Sequence, residues 1–161
     1  MKNLVATLGI TGCGKSTWLK DKSPVVETDD LRVELLDDID DISQEGLIFG
    51  TAARRICKLF EEHDTVYFGA TLVDSKYRIP FLQSIKDMSD YEVAIDAYIF
   101  PCDPKVAKER ITKDLATDVK RADSIQFIDE QYDQYKSAMH DIHNTEFDFY
   151  RSVESVITKP K

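Results

Sequence analysis

Glycines at Gly9, Gly12 and Gly14, a lysine at Lys15 and hydroxyls at Ser16 and Thr17, with Thr11 and Cys13 between them, carry the first chemical signal in this chain. Glycines let a backbone turn sharply and aim a row of N–H groups at one point, an arrangement that suits an anion with several oxygens. A lysine beside such a row reaches the β- and γ-phosphates of a nucleotide, and the next hydroxyl is placed to share a Mg²⁺ ion with the same oxygens. The run Gly9-Ile10-Thr11-Gly12-Cys13-Gly14-Lys15-Ser16 satisfies G-x-x-x-x-G-K-[ST] in full. A plain glycine turn requires neither the lysine nor the hydroxyl. A dinucleotide loop requires a third glycine where Thr17 stands.

A second group follows at Asp29 and Arg32, three residues apart and therefore on one face of a helix. A carboxylate there can take a proton from an attacking hydroxyl, and a guanidinium can orient an anionic acceptor. By themselves the two read equally well as a helix cap and a solvated arginine. Beside a phosphate loop they read as the acceptor side of a site. Further cations lie at Arg78, Arg110, Lys113, Lys120 and Arg121. His140 and His143, three apart with no matching third ligand, are weak evidence for metal, and Ser16 is the one residue read as a metal ligand.

The elements that must position these groups follow from periodicity. Leu4 to Leu8 is a short apolar run ahead of the loop, and Trp18-Leu19 opens a helix that Ser23-Pro24 ends near Lys22. Pro24 to Thr28 reads as a second strand, with Thr28 or Asp29 capping a helix through Leu36. Glu45 to Glu62 is amphipathic, with Ile48, Phe49, Ala52, Ala53, Ile56, Leu59 and Phe60 inward. Thr65 to Gly69 is a third strand, Ser75 to Lys86 a helix, and Tyr91 to Phe100 a fourth strand. Asp103-Pro104 starts a helix carrying Arg110. Residues 112–123 lack an apolar stripe and read as a lid over the phosphates or as a solvated connection. Ser124 caps a helix with its stripe at Ile125, Ile128, Tyr132, Tyr135 and Met139, and Phe147 to Val153 reads as a last edge strand. Strands alternating with helices predict an α/β domain over 1–161, a three-layer fold with a five-stranded, largely parallel sheet and helices on both faces.

The 161 residues make one domain with a real core. No apolar run approaches membrane-spanning length and no signal-peptide pattern opens the chain, so a cytoplasmic location is expected. Cys13, Cys57 and Cys102 are odd in number and widely spaced, which argues for reduced thiols; Cys13 reads as a small residue filling the loop. A net charge of −9 argues against a long footprint on duplex nucleic acid, though a few arginines can still grip one strand end.

The loop with Trp18 behind it, followed by Asp29-Asp30-Leu31-Arg32 after the second strand, resembles the kinase domain of phage-type polynucleotide 5′-hydroxyl kinases. The resemblance extends through Arg78, Arg110, the lid and the tyrosine-bearing helix. It implies a P-loop kinase fold, ATP as phosphoryl donor, Mg²⁺, and the end of a DNA or RNA strand as acceptor. It further implies Asp29 as the general base, Arg32 on the acceptor's neighbouring phosphate, and a lid arginine on the transferring group, Arg121 before Arg110. In this family an Asp-Thr-Asn usually follows the third strand, and Ala70-Thr71-Leu72 stands there instead, leaving out one carboxylate near the metal or acceptor. There is no D-x-D-G-T signature, so the phosphatase activity of fused family members is not expected. Three other readings share the loop. A kinase of a small alcohol would suit the acidic balance; a regulatory ATPase is disfavoured by the lack of an apolar strand ending in Asp; a toxin-type kinase would act on a sugar nucleotide or a protein.

Overall fold

The computed structural model describes residues 1–115 and 124–157. Five strands, β1 (Lys2–Leu8), β2 (Val25–Glu27), β3 (Thr65–Gly69), β4 (Val93–Ile99) and β5 (Ser152–Ser155), form one sheet in the order β2-β3-β1-β4-β5. Every pairing is parallel. The predicted α/β architecture is therefore present, with the apolar β1 at the centre, where a strand covered on both faces must read as continuous Leu and Val.

Alternation along the strands divides the interior. Leu4, Ala6, Val66, Phe68, Ile95 and Ala97 join one buried cluster with Ile48, Ala52, Ala53 and Ile56 of α3 (Glu45–Leu59) and Leu82 and Ile85 of α4 (Ser75–Met88). On the opposite face Trp18 of α1 (Lys15–Leu19) packs on Tyr67, Tyr98 and Phe100, with ring centroids 6.3, 5.1 and 5.5 Å away. A second cluster fixes the loop from beneath: Ile10 and Cys13 meet Phe100, Ala107 and Ile111 of α5 (Pro104–Leu115), and Ile128 of α6 (Ile128–His143).

Several boundaries differ from the sequence reading, each for a local reason. The first helix is only five residues long, ending at Leu19 instead of near Lys22. Helix α2 (Thr28–Leu36) follows β2 without a gap, so its capping residue is Glu27 and neither Thr28 nor Asp29 makes the expected cap. Thr112 to Leu115 of the expected lid continue α5; residues 116–123, Arg121 among them, lie outside the described residues. Ser124 opens a 3₁₀ turn, Ser124–Phe127, ahead of α6. The expected last strand begins with another 3₁₀ turn, Phe147–Phe149, and pairs with β4 only from Ser152. Among the described residues no helix is long and apolar enough to cross a membrane.

Candidate active site

The carboxyl ends of β1, β2 and β3 open into a cavity of about 840 Å³. Parallel α/β sheets place ligands there, where loops leave the strands and helices begin. The phosphate loop forms one end. Gly12 and Gly14 sit in left-handed backbone, at φ +83° and +98°, a region that side-chain-bearing residues rarely adopt. The loop is tied to both neighbouring strands: the Gly9 N–H donates to the Thr71 carbonyl at 3.0 Å, and the Phe100 N–H to that of Leu8 at 2.8 Å.

Lys15 reaches into the loop and donates from Nζ to the carbonyls of Gly9 and Ile10, at 2.6 and 2.8 Å, and to Cys13 Sγ at 3.4 Å. Thr11, Gly12, Gly14, Lys15, Ser16 and Thr17 line the cavity. Gly9 and Cys13 instead support the loop from below, Cys13 being fully buried as a small packing residue. Arg110 of α5 also lines the cavity and donates to the Gly12 carbonyl at 3.3 Å. With α1 so short, the positive charges that this end of the cavity offers an anion are those of Lys15 and Arg110.

Across the cavity Asp29 and Arg32 of α2 stand together, Asp29 Oδ1 accepting from Arg32 Nη1 at 3.0 Å. Glu45 at the start of α3 accepts from Arg32 Nη2 through both oxygens, at 3.0 and 2.9 Å, and from Nε at 3.2 Å. The guanidinium is thus held by two carboxylates in fork geometry, which fixes the plane it presents. Phe49 lines the same end.

Three participants were invisible in the sequence. Glu45 reaches Arg32 through the packing of α3 on α2. Gln131 of α6 accepts from the Thr11 N–H at 2.8 Å. Glu27 Oε1 accepts from the Ser16 hydroxyl at 2.9 Å.

Arg78 departs from the active-side arginines. It is 1% exposed and forms a buried pair with Glu146, donating from Nη2 to Oε2 at 2.7 Å and from Nε to Oε1 at 2.9 Å. It also donates to the Leu72 carbonyl at 2.8 Å, where Leu72 holds a left-handed φ of +48°. Tyr150 completes the network by donating to Glu146 at 2.9 Å; burial first, then the Glu146 charge, pushes its phenol well above the ordinary range.

No protein-family model matches this sequence, and no curated protein matches it. Solved structures do share its fold. A chain of the Pnkp1/Rnl/Hen1 RNA repair complex aligns over 92% of this protein with a TM-score of 0.72 and 18% identity. A chain of the PezAT chromosomal toxin–antitoxin system of Streptococcus pneumoniae aligns over 100%, with a TM-score of 0.66 and 12% identity, the alignment covering 70% of that chain. A fungal RNA kinase aligns over 99%, with a TM-score of 0.59 and 14% identity, covering 75% of it. The present chain spans about half of the RNA repair chain, 47% of its length. The fold is that of the P-loop kinases.

Proposed function

We propose that this protein is an ATP-dependent kinase that transfers the γ-phosphoryl group to a hydroxyl, with the 5′-hydroxyl end of a DNA or RNA strand as acceptor. The observation that carries this reading is the cavity itself, with the phosphate loop at one end and the Asp29–Arg32 pair at the other. Phosphoryl transfer requires positioning and charge neutralisation, and these residues divide that work. Lys15 neutralises the β- and γ-phosphates. Asp29 accepts the proton of the attacking hydroxyl, Arg32 orients the acceptor's phosphate, and Arg121, with Arg110 as the alternative, is the cation for the transferring group.

The Ser16 hydroxyl, a hard oxygen donor at the loop mouth already paired with a carboxylate, fits a Mg²⁺ ion. Bound there with the nucleotide, the ion would neutralise charge on the phosphate oxygens. Resemblance in fold to RNA repair and RNA kinase chains supports a polynucleotide acceptor, as does the D-D-x-R element.

The deciding experiment is transfer of labelled γ-phosphate from ATP to a 5′-hydroxyl oligonucleotide, beside a nucleoside and a reaction with no acceptor. Label on the oligonucleotide, lost in Asp29→Asn and in Lys15→Ala, is expected. Label on the nucleoside alone would overturn the polynucleotide acceptor. ATP consumption at the same rate without any acceptor would overturn the kinase. One observation favours a small-alcohol acceptor as the second reading: Asp29 and Glu45 already flank Arg32, which leaves that end of the cavity less inviting to a phosphodiester.

A further inference from the structure

Strand β2 is short and ends in a carboxylate pointed at the phosphate loop. Val25 and Val26 lead to Glu27, whose Oε1 accepts from the Ser16 hydroxyl at 2.9 Å. The side chain lies over its cross-strand partner, Gly69, the last residue of β3. A Cβ on Gly69 would stand 2.8 Å from Glu27 Cγ, 3.1 Å from Glu27 Oε1 and 2.7 Å from Leu19 Cδ1, so only glycine leaves this lane open. The next residue, Ala70, lines the same cavity without a carboxylate. Although Glu27 is also the capping residue of α2, its side chain makes no cap hydrogen bond.

We infer that Glu27 supplies the protein carboxylate of the divalent-cation site, acting with Ser16 across the lane that Gly69 keeps clear. The inference rests on the nucleotide-binding reading of the loop and concerns which chain groups face the ion. A Mg²⁺ ion bound with a nucleotide takes one or two protein oxygens besides phosphate and water, and a hydroxyl hydrogen-bonded to a carboxylate offers such a pair. The donor chemistry also agrees with the position. A carboxylate in this place without a cation would face the γ-phosphate with like charge and weaken nucleotide binding; with a cation between them the same charge favours it. Glu27 therefore makes nucleotide affinity conditional on the metal.

The test is binding of a non-hydrolysable ATP analogue by calorimetry, with Mg²⁺ and with EDTA, for the wild-type chain and Glu27→Gln. Spin-resonance titration of Mn²⁺ in the presence of the analogue is the second readout. Glutamine preserves the shape and can still accept from Ser16, so the fold is not in question. The substitution is expected to lower the Mg²⁺-dependent gain in affinity and the Mn²⁺ affinity by about 10- to 100-fold, the usual cost of losing a metal-facing partner. Affinity in EDTA should be unchanged or higher. Equal losses with and without metal would assign Glu27 a structural role and overturn the inference; so would unaltered metal dependence. A wild-type chain that binds the metal–nucleotide pair yet phosphorylates no hydroxyl compound would remove the kinase reading and leave this assignment standing. Metal-independent binding by the wild type would remove this assignment alone, and no binding at all would remove both.

Discussion

At the scale of single residues, the site depends on groups that act through others. Glu45 is given no step in the proposed transfer, yet it fixes Arg32 through three hydrogen bonds at the acceptor end of the cavity. Glu45→Ala is expected to raise the KM for the acceptor about tenfold, the size of one lost charge-assisted hydrogen bond, and to leave that for ATP unchanged. A lower acceptor KM in the same assay would show that Glu45 competes with the acceptor for Arg32. Arg32→Ala should give a larger change in the same direction, and equal effects on both substrates would count against its role. The residues that were legible in the sequence, Lys15, Ser16, Asp29 and Arg32, owe it to local spacing, because a loop or one helical turn decides where they point; Arg110 was singled out by resemblance alone, and it meets the Gly12 carbonyl through the packing of α5 on the loop. Glu27, Glu45 and Gln131 were not, since each reaches its partner through strand pairing or helix packing, which no local pattern records. Arg78 was legible as an arginine but not as a buried one: only its meeting with Glu146, far along the chain, decides which side of the sheet it serves.

At the scale of elements, the Arg78–Glu146–Tyr150 network joins α4 to the segment entering β5 and clamps the turn after β3 through the Leu72 carbonyl. Removing one member leaves the other charge buried and unpaired. Arg78→Leu is expected to cost about 3–5 kcal/mol in urea denaturation. Arg78→Met combined with Glu146→Leu should cost clearly less, and additive losses would show that the pair's mutual dependence is not the reason. Asp74 accepts from the Lys76 N–H at 3.0 Å at the start of α4, so Asp74→Ala should cost about 1 kcal/mol in the same measurement. The elements themselves were read well wherever periodicity was strong. The inward face of α3 is as expected, with Ile48, Ala52, Ala53 and Ile56 buried, Phe49 and Leu59 half-buried against the same core, and Phe60 buried just past the helix end. The last edge strand is present, but its start was placed too early because Phe147, Phe149 and Tyr150 have the composition of a strand. Their turn is set instead by Tyr150 meeting Glu146 and by Lys86 lying over the Phe149 ring at 4.6 Å.

At the scale of the whole molecule, charge and topology set the terms. With a net charge of −9, only a local patch can attract a nucleic acid. The KM for an oligonucleotide acceptor should therefore rise by no more than about 20-fold between 50 and 200 mM salt, since at most three phosphates are neutralised. A steeper dependence would mean a longer basic track than Arg32, Arg110 and Lys113 provide. The parallel topology was predictable from alternating strands and helices, whereas the order of the strands could be expected only by resemblance to nucleoside and shikimate-type kinases, because it is written only in which distant segments pair. That order has a consequence in time. Leu4 of β1 pairs with Val66 on one side and Ile95 on the other, and the loop leaving β1 is pinned by Thr71 and by Phe100. The phosphate-binding turn therefore closes only after two long-range docking events, each slow because a long loop must first be ordered. On refolding from urea, fluorescence of a bound nucleotide analogue should return after the far-ultraviolet dichroism of the helices, which makes competence for nucleotide a late clock of the folding reaction.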